Sequence, residues 1–213
     1  MKRICVLGSN GFIGSNLVKR LKDEGHLVLG VDITNKIKSR ETAPDVFVQG
    51  DLTDSNFCKK FFNTMYNQFY PSYDRIYNLA ANMGGAFHIF TGDNDADILH
   101  DNALINLNVA NYAVKAGVKQ LFFSSSVCAY SQEQVKQKIK EEDIYPANPD
   151  SNYGWEKIFS ERVYQAFAKN KGLNIRIARF NNTFGPYCTW DGGREKAPAA
   201  ICRKALTQDP IEI

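Results

Sequence analysis

The segment Tyr153-Gly-Trp-Glu-Lys157 places a phenol and an ammonium four positions apart, a spacing that brings two side chains onto one face of a helix. A cation beside a phenol favours the phenolate and lowers its pKa from about 10. The pair is therefore suited to taking a proton from a hydroxyl and returning it. Alone, Tyr-x-x-x-Lys is a common pattern. The tract Ser124-Ser125-Ser126 gives it weight. It ends a strand-like run at the carboxyl edge, where open α/β sheets place their ligands, and a hydroxyl there can bond the same substrate oxygen as Tyr153.

A second group of residues suits a dinucleotide. Gly8-Ser-Asn-Gly11-Phe12-Ile13-Gly14 lies between an apolar strand and an amphipathic helix. Gly8 allows a tight turn, Gly11 removes a side chain where backbone approaches a pyrophosphate, and Gly14 lets helix and strand pack closely. The helix N-terminus then offers free N–H groups to phosphate. Asp32 ends the second strand, where an acid binds the adenosine ribose and repels a 2′-phosphate, so NAD is expected over NADP. Asp51 and Leu52 follow the third strand and flank the adenine. Leu79, Ala80 and Ala81 close the fourth with residues that leave room for the cofactor.

The elements that hold these residues alternate. Strands are expected at 3–7, 27–32, 46–48, 75–79, 120–124 and 175–179, and helices at 12–24, 54–67, 95–116 and 152–171. Alternation of this kind means a doubly wound, Rossmann-type α/β fold with a parallel sheet covered on both faces. The polar stretch 131–143, with Lys136, Gln137 and Lys138, reads as a solvated loop or short helix. At roughly 150 residues per domain, 213 residues hold one domain and part of a second. The 44% hydrophobic and 23% charged fractions exclude a disordered chain. No apolar run approaches the ~18 residues of a membrane span, and Ile4-Cys5-Val6-Leu7 is too short for a signal-peptide core. A net charge of +3 gives little reason to expect nucleic acid. The five cysteines form no C-x-x-C pair and the three histidines are scattered, so no metal site is expected, and a reducing, cytoplasmic setting fits.

Together, the glycine turn, Asp32, Asn78-Leu79-Ala80-Ala81, the serine tract and Tyr-x-x-x-Lys resemble the extended short-chain dehydrogenase/reductases that act on nucleotide sugars, over nearly the whole chain. Gly192-Gly-Arg-Glu-Lys196-Ala-Pro-Ala-Ala200 and Ala80-Ala-Asn-Met83-Gly84-Gly85 are similar to segments of GDP-mannose 3,5-epimerases. Asn82 stands where that subfamily has an acid, and Ser131 where it has proline. The resemblance implies an NAD-binding domain at 1–180 and the beginning of a substrate-binding domain at 181–213, the chain holding only its first part. It implies a transient 4-keto sugar, with Ser126, Tyr153 and Lys157 serving oxidation at C4, Lys157 also holding the nicotinamide ribose, and Cys128 and Lys196 exchanging protons at C3 and C5. Met83, Gly84, Gly85, Ser126, Asn182 and Lys196 would meet the sugar nucleotide, a GDP-hexose. It also implies a homodimer through helices 95–116 and 152–171, with Ile98, Leu104, Ile105, Phe159, Val163 and Phe167 as candidates unless they face the sheet. Asn102 is given no chemistry. On the residues alone, Cys128 equally suits packing near a strand end, Lys196 a charged surface with Arg194 and Glu195, and Met83-Gly84-Gly85 a simple turn. An epimerase-reductase like GDP-fucose synthase is disfavoured by Asp32 and Lys196, and a 4,6-dehydratase by Val127-Cys128 where it needs Asp-Glu. A non-catalytic NAD-binding protein is the alternative of a different class.

Overall fold

The computed structural model describes residues 1–65, 73–135, 139–207 and 210. Among them, β1 (Arg3–Leu7), β2 (Leu27–Asp32), β3 (Val46–Gln49), β4 (Arg75–Asn78), β5 (Leu121–Ser126) and β6 (Ile175–Phe180) form one parallel sheet in the order β3-β2-β1-β4-β5-β6. β1 is central: Ile4 stands beside Val28 on one side and Arg75 on the other. That position explains its unbroken apolar run, because a strand covered on both faces needs no polar alternation. Ile4 and Val6 pack with Val28 under Val18 and Leu21 of α1 (Phe12–Asp23). Cys5 and Leu7 point the other way, into the larger core beneath α2 (Ser55–Lys60), α4 (Asp95–Lys115) and α6 (Asn152–Lys171). Two short helices, α3 (Ala86–Phe90) and α5 (Gln132–Val135), and the later α7 (Ala197–Thr207) are the other α-helices among the described residues.

Side-chain capping and a close backbone contact set the start of α6. Ser151 accepts the Gly154 N–H at 3.1 Å, the ordinary way to satisfy a free first-turn donor. A Cβ at Gly154 would overlap the Cys128 carbonyl, so α6 lies directly on the single turn Val127–Ala129 that follows β5. Tyr153 and Lys157 are thereby brought against the end of the serine tract. At the far end Gly172 takes a φ of 71° and closes the helix.

Several boundaries differ from expectation. β5 runs to Ser126, so the serines belong to the strand. The helix expected over 54–67 ends at Lys60 and continues as a wider turn to Met65, while 66 and 67 lie outside the described residues. The stretch 131–143 holds α5 and a turn at Glu141–Ile144, with Lys136, Gln137 and Lys138 outside the described residues. The outward stripe also needs correcting. Ile105 is buried and Val163 and Phe167 pack on the core because these positions face the sheet, while Ile98 is buried against Ile89 and Tyr153. Phe159 is exposed, beside Trp155 on α6, and Leu99 and Leu107 are exposed on α4. No helix among the described residues is long and apolar enough to cross a membrane.

Candidate active site

The strand order reverses between β1 and β4, and a cleft opens there at the carboxyl edge of the sheet, as open α/β folds require. It has two lobes that share Leu79 and Ala81. One, of about 550 Å³, is lined by Gly8, Gly11, Asp32, Asp51, Leu52 and Ala80 among others. The other, of about 450 Å³, is lined by Ile13, Ser126, Cys128, Tyr153, Lys157 and Lys196, with Met83, Gly84, Gly85 and Asn182.

The first lobe fits the nucleoside and diphosphate of NAD. Gly8 has a φ of 80°, and a Cβ on it would strike the Ala80 backbone. A Cβ on Gly14 would overlap the Gly8 carbonyl, so Gly14 serves the close approach of α1 to β1 and does not line the lobe. No side chain caps α1 at Gly11, which leaves its first-turn N–H groups for an anion. Asp32 accepts the amides of Asn10 at 2.9 Å and Thr34 at 3.0 Å, and Asp51 that of Thr53 at 2.8 Å. These bonds hold both carboxylates at the rim of the lobe. Phe12 lines neither lobe and turns toward Gly185.

Hydrogen bonding separates the three serines of the second lobe. Ser124 donates to the Asn78 carbonyl at 3.2 Å, and Ser125 donates to buried Glu161, which Arg179 grips through two nitrogens. Ser126 remains: its Oγ accepts the Cys128 amide at 3.1 Å and lies near enough to Tyr153 to lower the phenol's pKa slightly. Lys157 lies 5.2 Å from the centre of the Tyr153 ring and 5.1 Å from that of Phe123.

One expectation is reversed here. Burial, the largest effect on Tyr153, raises its pKa and outweighs the lowering by Lys157. The phenol therefore rests protonated. Glu156, which the four-residue spacing did not single out, opposes Lys157 further. Its Oε2 lies 3.4 Å from the Lys157 ammonium, and the two side chains are 1% and 2% exposed. Ser160 and Asn106 bond the other oxygen at 2.6 and 3.1 Å. Burial pulls the Lys157 pKa down, but Glu156 and then Tyr153 reverse this and leave it raised.

Cys128 packs with Met83, Ile89, Ile98 and Tyr153. Lys196 is half-buried in the same lobe; burial lowers its pKa, against the opposing influence of Cys128 and Cys188. A lysine held in this way can exchange protons nearer neutrality than a free one. Asn102 is structural: its side chain clasps the Asn82 backbone, accepting at 2.6 Å and donating at 3.0 Å. Asn82, where an acid was expected, bonds Asp101 at 3.0 Å and His88 at 3.1 Å.

Residues 4–213 match the model of the NAD dependent epimerase/dehydratase family. The chain is 39% identical over 212 residues to GDP-mannose 3,5-epimerase 1 of Oryza sativa subsp. indica, covering 96% of this chain and 53% of that protein. It is 28% identical over 208 residues to GDP-L-fucose synthase of Sinorhizobium fredii, covering 96% and 59% respectively. The fold superposes on UDP-glucose 4-epimerase of Thermotoga maritima, solved with UDP-glucose, with a TM-score of 0.83 at 26% identity, covering 99% of this chain and 65% of that one. The chain thus spans about half the length of the curated epimerase it matches. With a dinucleotide cleft at the strand reversal and a tyrosine, lysine and serine gathered beside it, the chain belongs to the NAD dependent epimerase/dehydratase family.

Proposed function

We propose that this chain carries the cofactor-binding half and the acid–base groups of an enzyme that epimerises GDP-mannose at C3 and C5 through a transient 4-keto sugar. One observation carries the reading: Cys128 and Lys196, two groups able to exchange protons with carbon, line one lobe with Ser126, Tyr153 and Lys157. NAD, when bound, supplies the hydride acceptor and a positive charge. Tyr153, protonated at rest, becomes the base for the C4 hydroxyl when that positive charge and Lys157 together favour its phenolate, with Ser126 bonded to the same oxygen. Once C4 is a ketone, the hydrogens on C3 and C5 are acidic. Cys128 and Lys196 remove and replace them, inverting the centre when removal and return occur on opposite faces, after which the hydride and the Tyr153 proton return to C4 and restore the alcohol. Met83, Gly84, Gly85 and Asn182 border the sugar, while Asp32, Asp51, Leu52 and Leu79 to Ala81 hold the nucleoside end of NAD.

The reading assigns 1–180 to cofactor binding and 181–213 to the beginning of the substrate domain. It also places a homodimer in the cytoplasm, paired through the exposed Leu99, Leu107, Trp155 and Phe159. Reduction of the GDP-fucose synthase kind is disfavoured by Asp32, whose charge repels a 2′-phosphate.

The test is ring-proton exchange in deuterated water, read by NMR in a protein extended to the length of its relatives. Cys128→Ala is expected to leave C4 oxidation intact and to slow exchange at C3 and C5 by ~10²–10⁴-fold, the usual contribution of a general acid or base. Exchange at the normal rate would make the thiol a packing group and remove the epimerase reading.

A further inference from the structure

The nucleoside lobe has an unbalanced charge. Asp32, Asp51 and Asp101 line it, and Arg194 is the one Lys or Arg among the described residues that do. A dinucleotide brings a doubly negative diphosphate into this acidic setting. The N-terminus of α1 offers the equivalent of only about half a positive charge. Arg194 supplies a whole one, in a planar fork whose donors match phosphate oxygens. Its guanidinium forms no ion pair or hydrogen bond among the described residues, and the adjacent Glu195 is paired instead with Arg203 at 3.6 Å.

The backbone ties this cation to the other lobe. The Gly85 N–H donates to the Arg194 carbonyl at 3.0 Å. A Cβ on Gly85 would overlap the Glu195 carbonyl, so residues 194–196 lie directly on the Gly84-Gly85 loop. Along that short segment Arg194 lines the nucleoside lobe and Lys196 the catalytic lobe. After burial, the Arg194 charge is the second influence holding the His88 imidazole below its usual pKa, which sets the guanidinium close to α3.

We propose that Arg194 binds the diphosphate of the dinucleotide and that this contact holds the 194–196 segment so that Lys196 stays in the catalytic lobe. Cofactor occupancy then controls the acid–base group directly. The inference rests on the NAD site and not on the identity of the sugar.

Calorimetric titration of this chain with NAD, ADP-ribose and adenosine tests the first half. Arg194→Ala is expected to weaken NAD and ADP-ribose about 10- to 100-fold, the range of a charge-assisted hydrogen bond, and to leave adenosine unchanged. Arg194→Lys should recover part of the loss. An NAD affinity within about twofold of the unmodified chain, equal losses for adenosine, or no NAD binding by the unmodified chain would each overturn the proposal. Competitive acetylation of Lys196, read by mass spectrometry, tests the second half. Saturating NAD should slow labelling in the unmodified chain and not in Arg194→Ala brought to equal saturation. Equal protection in both would show that Arg194 does not position Lys196.

Discussion

Glu156 precedes Lys157 in the chain and faces it in space, and that is unusual for neighbours on a helix. Breaking a buried pair by removing one partner costs about 3–5 kcal/mol, so Glu156→Gln should destabilise the chain by about 3 kcal/mol at pH 7. The pH dependence follows from the sign of the Lys157 shift. In the unmodified chain the folded-state pKa is raised, so the ammonium is charged in both states well below pH 10 and contributes no slope. In the variant burial, the largest influence, is opposed only by Tyr153 and Cys128, and the folded pKa is expected to fall below the unfolded value. The folded state then binds fewer protons than the unfolded one, and stability rises with pH between the two pKa values. Urea melts at pH 7 and pH 9 should show a smaller deficit at pH 9; an unchanged deficit would mean that Lys157 keeps its charge without Glu156. That Tyr153, Lys157 and Ser126 come together in one lobe was legible because it follows from residue type and spacing. Glu156 was not, because α6 is buried over most of its first turns, with Tyr153, Gly154, Glu156, Lys157, Ile158, Ser160 and Glu161 all inside. A one-faced reading of a helix has no place for an inward acid beside an inward base.

Among the elements, β1 to β6, α1, α4 and α6 were legible from apolar runs, glycine stops and caps, with shifts of a few residues at their ends. α3 is one short run after Gly84-Gly85, too brief to display a period. α7 buries none of its residues, and Leu206 is 86% exposed, so no protected face marks it in the sequence. The contact that matters most between elements is that of α6 with the turn after β5. Gly154→Ala would push a methyl into the Cys128 carbonyl, and overpacking of this kind costs about 1–3 kcal/mol. A lowered midpoint in urea is expected. If α6 also shifts away, Tyr153 loses Ser126 and its fluorescence response to NAD should weaken. A variant as stable as the parent would mean that the helix and turn separate without cost.

At the scale of the molecule, one group of exposed apolar residues is shared by two long helices. Leu99 and Leu107 of α4 and Trp155 and Phe159 of α6 are exposed. If they cover one another across a twofold axis, Phe159→Glu should convert dimer to monomer in light scattering. Because Phe159 is 45% exposed within one chain, the intrinsic stability should change by no more than about 0.5 kcal/mol. A variant that remains dimeric would place the interface elsewhere. The parallel sheet has a practical consequence at its other edge. All the strands start on the same side, where Met1 is 96% exposed, and the cleft opens on the opposite side. A biosensor surface or optical-trap handle attached through the first residue should therefore leave the cleft facing bulk solvent, whereas random amine coupling would also capture the half-buried Lys196 at its mouth.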